Sequence, residues 1–164
     1  MEFSEIISLV KLIPFLINKL RKKPVRIHVH PGMTMTPVGI SFALRFCVSN
    51  ISDLKIYASE LDLLYFDKYD LKNKLSTFRI EKDPFEINPH RQYEKTISFA
   101  RYRESPYKEF VLVLVLERGE AFYTKKSYRD SSNEKRMIIK KLSKEFKKQF
   151  KNIKKQSDLK FLAI

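Results

Sequence analysis

Phe110-Val111-Leu112-Val113-Leu114-Val115-Leu116 decides the fold class of this 164-residue chain. Successive side chains of a strand point to opposite faces, so Phe110, Leu112, Leu114 and Leu116 form one row and Val111, Val113 and Val115 the other. Both rows are apolar and both must leave water. The first can fill the space between two sheets. The second needs a further layer, and the cheapest is a terminal helix lying on the outside of that sheet. Left bare, a valine row would be an association patch for a partner protein. The run therefore predicts an α+β fold, with the N-terminal helix as the expected lid.

The segments on either side read as more strands. Val25, Ile27 and Val29 alternate with Arg26, His28 and His30, a half-buried strand with its polar side outward. Val38, Ile40, Phe42, Leu44, Phe46 and Val48 face one way, while Gly39, Ser41, Ala43, Arg45, Cys47 and Ser49 face the other. Asn50-Ile51-Ser52-Asp53 follows with turn chemistry, since Asn and Asp side chains bond to nearby backbone. Leu61–Phe66, Thr77–Glu81, a short edge piece between Pro84 and Pro89, Tyr93–Ala100 and Ala121–Tyr128 complete the set. About seven antiparallel strands at this spacing predict a β-sandwich over residues 24–129.

Ile40–Val48, the turn Asn50–Ile56 and the strand Leu61-Asp62-Leu63-Leu64-Tyr65 together resemble the early strands of immunoglobulin-like sandwiches of the bacterial and late-embryogenesis-abundant-like kinds. In those an alternating strand ends in an Asn-x-Ser turn before the next strand. The chain has no Trp and a single cysteine, Cys47, so the disulfide-pinned antibody type is excluded. The resemblance implies a binding or scaffolding module rather than an enzyme. It carries no site residues with it, because sandwiches host unrelated functions.

Composition removes several kinds of chemistry. Only three glycines are present, Gly32, Gly39 and Gly119, none adjacent, which leaves no phosphate cradle, dinucleotide fingerprint or nucleophile elbow. One cysteine excludes an internal disulfide and a multi-cysteine zinc site. The net charge of +14 is uneven: residues 1–23 carry +3, residues 24–133 another +3, and residues 134–164 carry +8. Such asymmetry points to an anionic partner, or to a solvated lysine face that maintains solubility.

Both ends read as amphipathic helices. In residues 1–23, Ile6, Leu9, Val10, Ile13, Ile17 and Leu20 share a helical stripe, interrupted at Pro14. Lys11 and the absence of a cleavage site argue against a membrane span or a secretory signal, so this segment either packs on the domain or lies in a membrane interface. Residues 130–156 read as a basic helix. There Ile138, Ile139, Leu142, Phe146, Phe150 and Ile153 recur at three- and four-residue steps among ten Lys and Arg side chains. Lys140, Lys141, Lys144, Lys147, Lys148, Lys151, Lys154 and Lys155 are the candidate contacts for an anionic partner. Phe146 and Phe150 are the candidates to sink into a lipid interface. The apolar tail 157–164 is expected to tuck Phe161 and Leu162 against the domain.

Catalytic and metal-binding candidates are sparse. His28 and His30 project from one strand face, and His90 or Cys47 could complete a metal site, but Arg26 shares that face and disfavours a cation. Cys47 reads as a small buried hydrophobe. Glu60 with Asp62, Asp67 with Asp70, and Asp83 with Glu86 fall near expected turns, where carboxylates cap or solvate. The expectation is a non-enzymatic binding or adaptor module without a cofactor or small-molecule substrate. Its basic helix would contact an anionic membrane surface or an acidic protein. A non-specific nucleic-acid-binding accessory protein is the alternative, and a small metal-dependent enzyme the second. The lysine-rich segment holds only one arginine, Arg136, which disfavours base-edge readout. The expected location is the cytoplasm, either free or peripheral to a membrane.

Overall fold

The leucine and valine rows do separate onto two sides of one strand, and each finds its own cover. The computed structural model describes residues 23–37, 39–99, 105–131 and 136–164. Its strands are, in chain order, β1 (Val25–Thr36), β2 (Gly39–Asn50), β3 (Ile56–Asp67), β4 (Leu75–Glu81), β5 (Phe85–Ile87), β6 (Gln92–Phe99), β7 (Tyr107–Leu116), β8 (Glu120–Tyr123), β9 (Lys126–Ser131), β10 (Arg136–Lys141) and β11 (Lys160–Ala163). One helix, α1 (Lys144–Gln156), lies between β10 and β11. The small sheet is antiparallel with order β1-β2-β6. The large sheet runs β10-β9-β7-β3-β4, with β5 continuing the β4 side and β8 pairing β7 beyond β9. β11 joins β8 in parallel.

The two sheets share one core. Ile27 and Val29 of β1 and Leu44, Phe46 and Val48 of β2 pack with Leu61 and Leu63 of β3 and the leucine row of β7. Each such side chain contributes about 1.5–3 kcal/mol when fully buried. A tyrosine hydroxyl closes each open side. Val29 N–H donates to Tyr128 Oη at 3.3 Å, tying β1 to β9. On the other side Tyr93 of β6 donates to the Glu81 carboxylate of β4, and Lys95 Nζ joins it at 2.9 Å. Those two donors hold Glu81 down at about 2, and burial with the Glu81 charge pushes the Tyr93 phenol up. The Asn-x-Ser turn is also as read. Asn50 is buried, donating to Leu54 O and Ile87 O and accepting from the Ser52 N–H and hydroxyl.

The valine row is roofed by the C-terminal helix. Val111, Val113 and Val115 form a second core with Leu64, Phe66 and Ala121 beneath Phe146 and Phe150 of α1. Phe146 stands edge-on to Phe66 with ring centres 5.2 Å apart, and Phe150 to Tyr123 at 5.0 Å. Both phenylalanines are withdrawn from solvent, at 0% and 2% exposure, so neither is available to a lipid interface. The lid expected from the N-terminal helix is therefore supplied by the other end of the chain. The N-terminal helix itself lies outside the described residues.

The basic helix is also shorter than residues 130–156. Ile138 and Ile139 belong to β10, which pairs with β9, because adjacent β-branched residues suit a strand. The helix waits for Ser143, whose hydroxyl accepts the Phe146 N–H at 3.1 Å as its N-cap. The Ala121–Tyr128 strand divides into β8 and β9, and with β10 and β11 added the described residues hold eleven strands rather than about seven. The tail does tuck: Phe161 packs in the second core and Leu162 against the first.

Candidate functional site

The site grows from how α1 is seated. Glu109 of β7 is buried, and it accepts both the Arg129 guanidinium at 3.1 Å and the Ser143 N–H at 2.9 Å. A carboxylate there is favoured by the helix N-terminus as well as by the arginine. With Phe146 and Phe150 pinned below, the helical period aims Lys144, Lys148, Lys151 and Lys155 along the opposite, outward line. The row spans about 16 Å at 1.5 Å per residue. All four side chains are exposed, and none makes an ion pair among the described residues.

Lys151 is the extreme case. Its helical neighbours at three and four residues on either side are Lys147, Lys148, Lys154 and Lys155. Each like-charge pair of this spacing costs about 0.2–0.5 kcal/mol. The helix's lone acid, Glu145, accepts from Gln149 at 2.7 Å and does not offset that cluster.

The eight lysines singled out from sequence do not act as one set. Lys144, Lys147, Lys148, Lys151 and Lys155 stand outward on α1, while Lys140 and Lys141 lie exposed on β10. Lys154 instead turns over aromatic rings, its Nζ 3.8 Å from the Tyr123 centroid and 4.4 Å from that of Phe150. It caps the second core by a cation–π contact.

Sequence reading missed a neighbouring group. Gln149 of α1 donates to Asn73 O at 2.9 Å and accepts from Leu75 N–H at 2.8 Å, which locks the helix to the β3–β4 loop. Lys108 Nζ reaches the same Asn73, at its Oδ1, at 2.8 Å. Lys72, Lys74 and Lys108 are exposed around this loop, on the Gln149 side of the helix. The loop's acid, Asp70, is engaged, accepting backbone N–H from Lys72 and Lys74, which draw its carboxyl below the usual range. The Lys-rich run of residues 68–74 is visible in sequence, but its link to a helix seventy residues later is not.

The metal and catalytic candidates do not converge. Register places His28 beside Cys47 and His30 beside Arg45, but His90 turns to Asp53 at 2.9 Å. Among the described residues no three His, Cys, Asp or Glu side chains form a group that could hold a metal. Cys47 is buried, and burial with the Glu94 carboxylate next to it pushes the thiol up, away from the reactive thiolate. Glu60 and Asp62 sit on β3 rather than in a turn, where Arg79 clamps both, at 2.6 and 3.2 Å. A cleft of about 740 Å³ opens at the far end of the sandwich between Lys23, Tyr57, Arg118 and Phe122, and its described lining has neither His nor Cys. Among the described residues no helix is long and apolar enough to cross a membrane.

No family model and no curated protein matches the chain. It is similar to the X-ray structure of Northeast Structural Genomics Consortium target SoR45, with 11% identity, coverage of 73% of this chain and 84% of that one, and a TM-score of 0.38.

Proposed function

We propose that this chain is a non-enzymatic binding module, an immunoglobulin-like sandwich that rests on an anionic membrane surface through the outward face of α1. The observation that carries this reading is Lys151 and its four lysine neighbours. A helix seated only for stability gains nothing from like charges stacked at every contact position, whereas a sheet of phosphate and carboxylate head groups neutralises the outward Lys147, Lys148, Lys151 and Lys155 together. The burial of Phe146 and Phe150 makes the contact of α1 electrostatic, without insertion of the helix. The predominance of lysine over arginine suits head groups better than base edges.

The test is co-sedimentation with phosphatidylserine-containing and pure phosphatidylcholine vesicles at low and high salt. The full chain is compared with a variant carrying Gln at Lys144, Lys148, Lys151 and Lys155. At about 1 kcal/mol per lysine, the variant should lose on the order of 10³ in affinity for the anionic vesicles at low salt. Equal binding by both proteins would end the proposal. Retention on duplex nucleic acid with a steep salt slope, and none on vesicles, would replace the membrane with a nucleic-acid backbone. Removing α1 is not a usable test, because it would bare the valine row.

A further inference from the structure

The β1–β2 hairpin carries an apolar row toward its tip that no described residue covers. Pro31–Leu44 contains no charged residue in a chain that is 32% charged. Among the described residues the β1–β2 ladder runs on to Met35 and Ile40, whereas β6 pairs with β2 as far as Phe42 and Phe99, and β3 with β7 as far as Asp67 and Tyr107. Phe42 still packs on Phe99, and Phe99 on Tyr107, and among the described residues Met35 and Ile40 lie beyond that edge of the core. The alternation does not change at that boundary. Met33, Met35 and Ile40 continue the face of Val29, Phe42 and Leu44, yet they are 56%, 85% and 58% exposed. Exposed strand pairs are ordinarily protected by lysines or other charges, and this one carries none.

We propose that this hairpin tip inserts into the interfacial layer of a lipid bilayer, with Met33, Met35 and Ile40 at the acyl boundary. The inference rests on the membrane reading of α1 and adds to it the element that enters the lipid. Three observations favour lipid as the occupant. The apolar area is at most a few hundred Å², well short of the roughly 800 Å² per partner of a stable protein interface. The β3–β4 loop at the same end of the sandwich exposes Leu71 at 96%, giving a second apolar tip. Around that loop stand Lys72, Lys74 and Lys108, linked to α1 through Asn73 and Gln149. Shallow apolar tips beside a basic field match an anionic interface, where insertion and head-group attraction add. Methionine's flexible thioether suits a fluid boundary better than a fixed protein pocket.

The chain contains no Trp, so Met35→Trp gives a single indole reporter in this 164-residue chain. With phosphatidylserine-containing vesicles its emission should shift to the blue and be quenched by brominated acyl chains. Tyr57→Trp, at the opposite end of the sandwich, should change in neither respect. Met35→Gln combined with Ile40→Gln, which removes the apolar tip without adding charge, should lower vesicle affinity about tenfold or more at unchanged melting temperature. Pelleting of Met35→Trp without a shift would overturn insertion while leaving the lysine contact standing. No pelleting of any form would remove both. A blue shift that grows with protein concentration in the absence of vesicles would assign the tip to a second copy of the chain and overturn the lipid proposal.

Discussion

Helix α1 and the β1–β2 hairpin are both amphipathic in sequence, and they dispose of their apolar faces in opposite ways. The phenylalanines of α1 disappear beneath it and its lysines face outward. The hairpin ends in Met33, Met35 and Ile40, largely exposed and without a charge nearby in sequence. Periodicity says which side chains share a face. It does not say whether another layer reaches that face. α1 meets the valine row on the outside of the large sheet, whereas Met33, Met35 and Ile40 of the hairpin stay largely exposed.

The largest test of this contrast removes one apolar group from each region. Phe146→Ala should cost about 3–5 kcal/mol in urea unfolding, the usual penalty for emptying an aromatic site in a packed core. Met35→Ala should change stability by no more than about 0.5 kcal/mol. A cost below about 1 kcal/mol for Phe146→Ala would mean that α1 is not the lid, and the two regions would then be alike. Asn50→Ala ranks next, at about 2–3 kcal/mol, because it strands the backbone groups of Leu54, Ile87 and Ser52 that its buried amide now satisfies. A loss comparable to that of an exposed loop residue would show that the turn is not a structural lock.

Much of this fold could be read from residues, and the unreadable parts have a common cause. The split of Phe110–Leu116 into two rows, the turn at Asn50 and the tucked Phe161 and Leu162 all follow from patterns within a few residues. Which helix roofs the valines depends on Glu109 accepting Ser143 N–H, a contact across thirty-four residues that no period announces. The same holds for Gln149 and Asn73, which gather Lys72, Lys74 and Lys108 beside the helix. Lys154 was indistinguishable from its neighbours until Tyr123 came under it. Ile138 and Ile139 fit a helical stripe as well as a strand, so the period alone starts the helix too early, and only the pairing of β10 with β9 decides between them.

A smaller effect concerns the closed side of the sandwich rather than its lid or hairpin. The folded state holds Glu81 at about 2, against an ordinary 4.5, so its ionised form is favoured by folding. The contribution is complete above about pH 4.5 and is lost as pH falls toward 2. Glu81→Gln should therefore destabilise the chain by about 1–2 kcal/mol at neutral pH, with the difference from the unaltered protein closing by pH 2. A pH-independent difference would mean that Tyr93 and Lys95 do not stabilise the charge.

The smallest effect bears most directly on what α1 is for. Lys151→Gln relieves like-charge pairs with Lys147, Lys148, Lys154 and Lys155, so the variant should be more stable than the parent. At about 0.2–0.5 kcal/mol per pair the gain is about 1 kcal/mol at low ionic strength, and it should fade toward 1 M salt as the Debye length shrinks to about 3 Å. The same substitution should weaken binding to anionic vesicles. A substitution that stabilises the fold while reducing the contact is the expected mark of a residue retained for a partner, and the buried side of the helix offers the control. Phe150→Leu removes aromatic packing beneath the same turn, and should cost stability at every salt concentration without touching the outward charge. If Lys151→Gln were neutral at low salt, the lysine row would be an ordinary solvated face, and the difference between the helix and the hairpin would reduce to which of them happens to be covered.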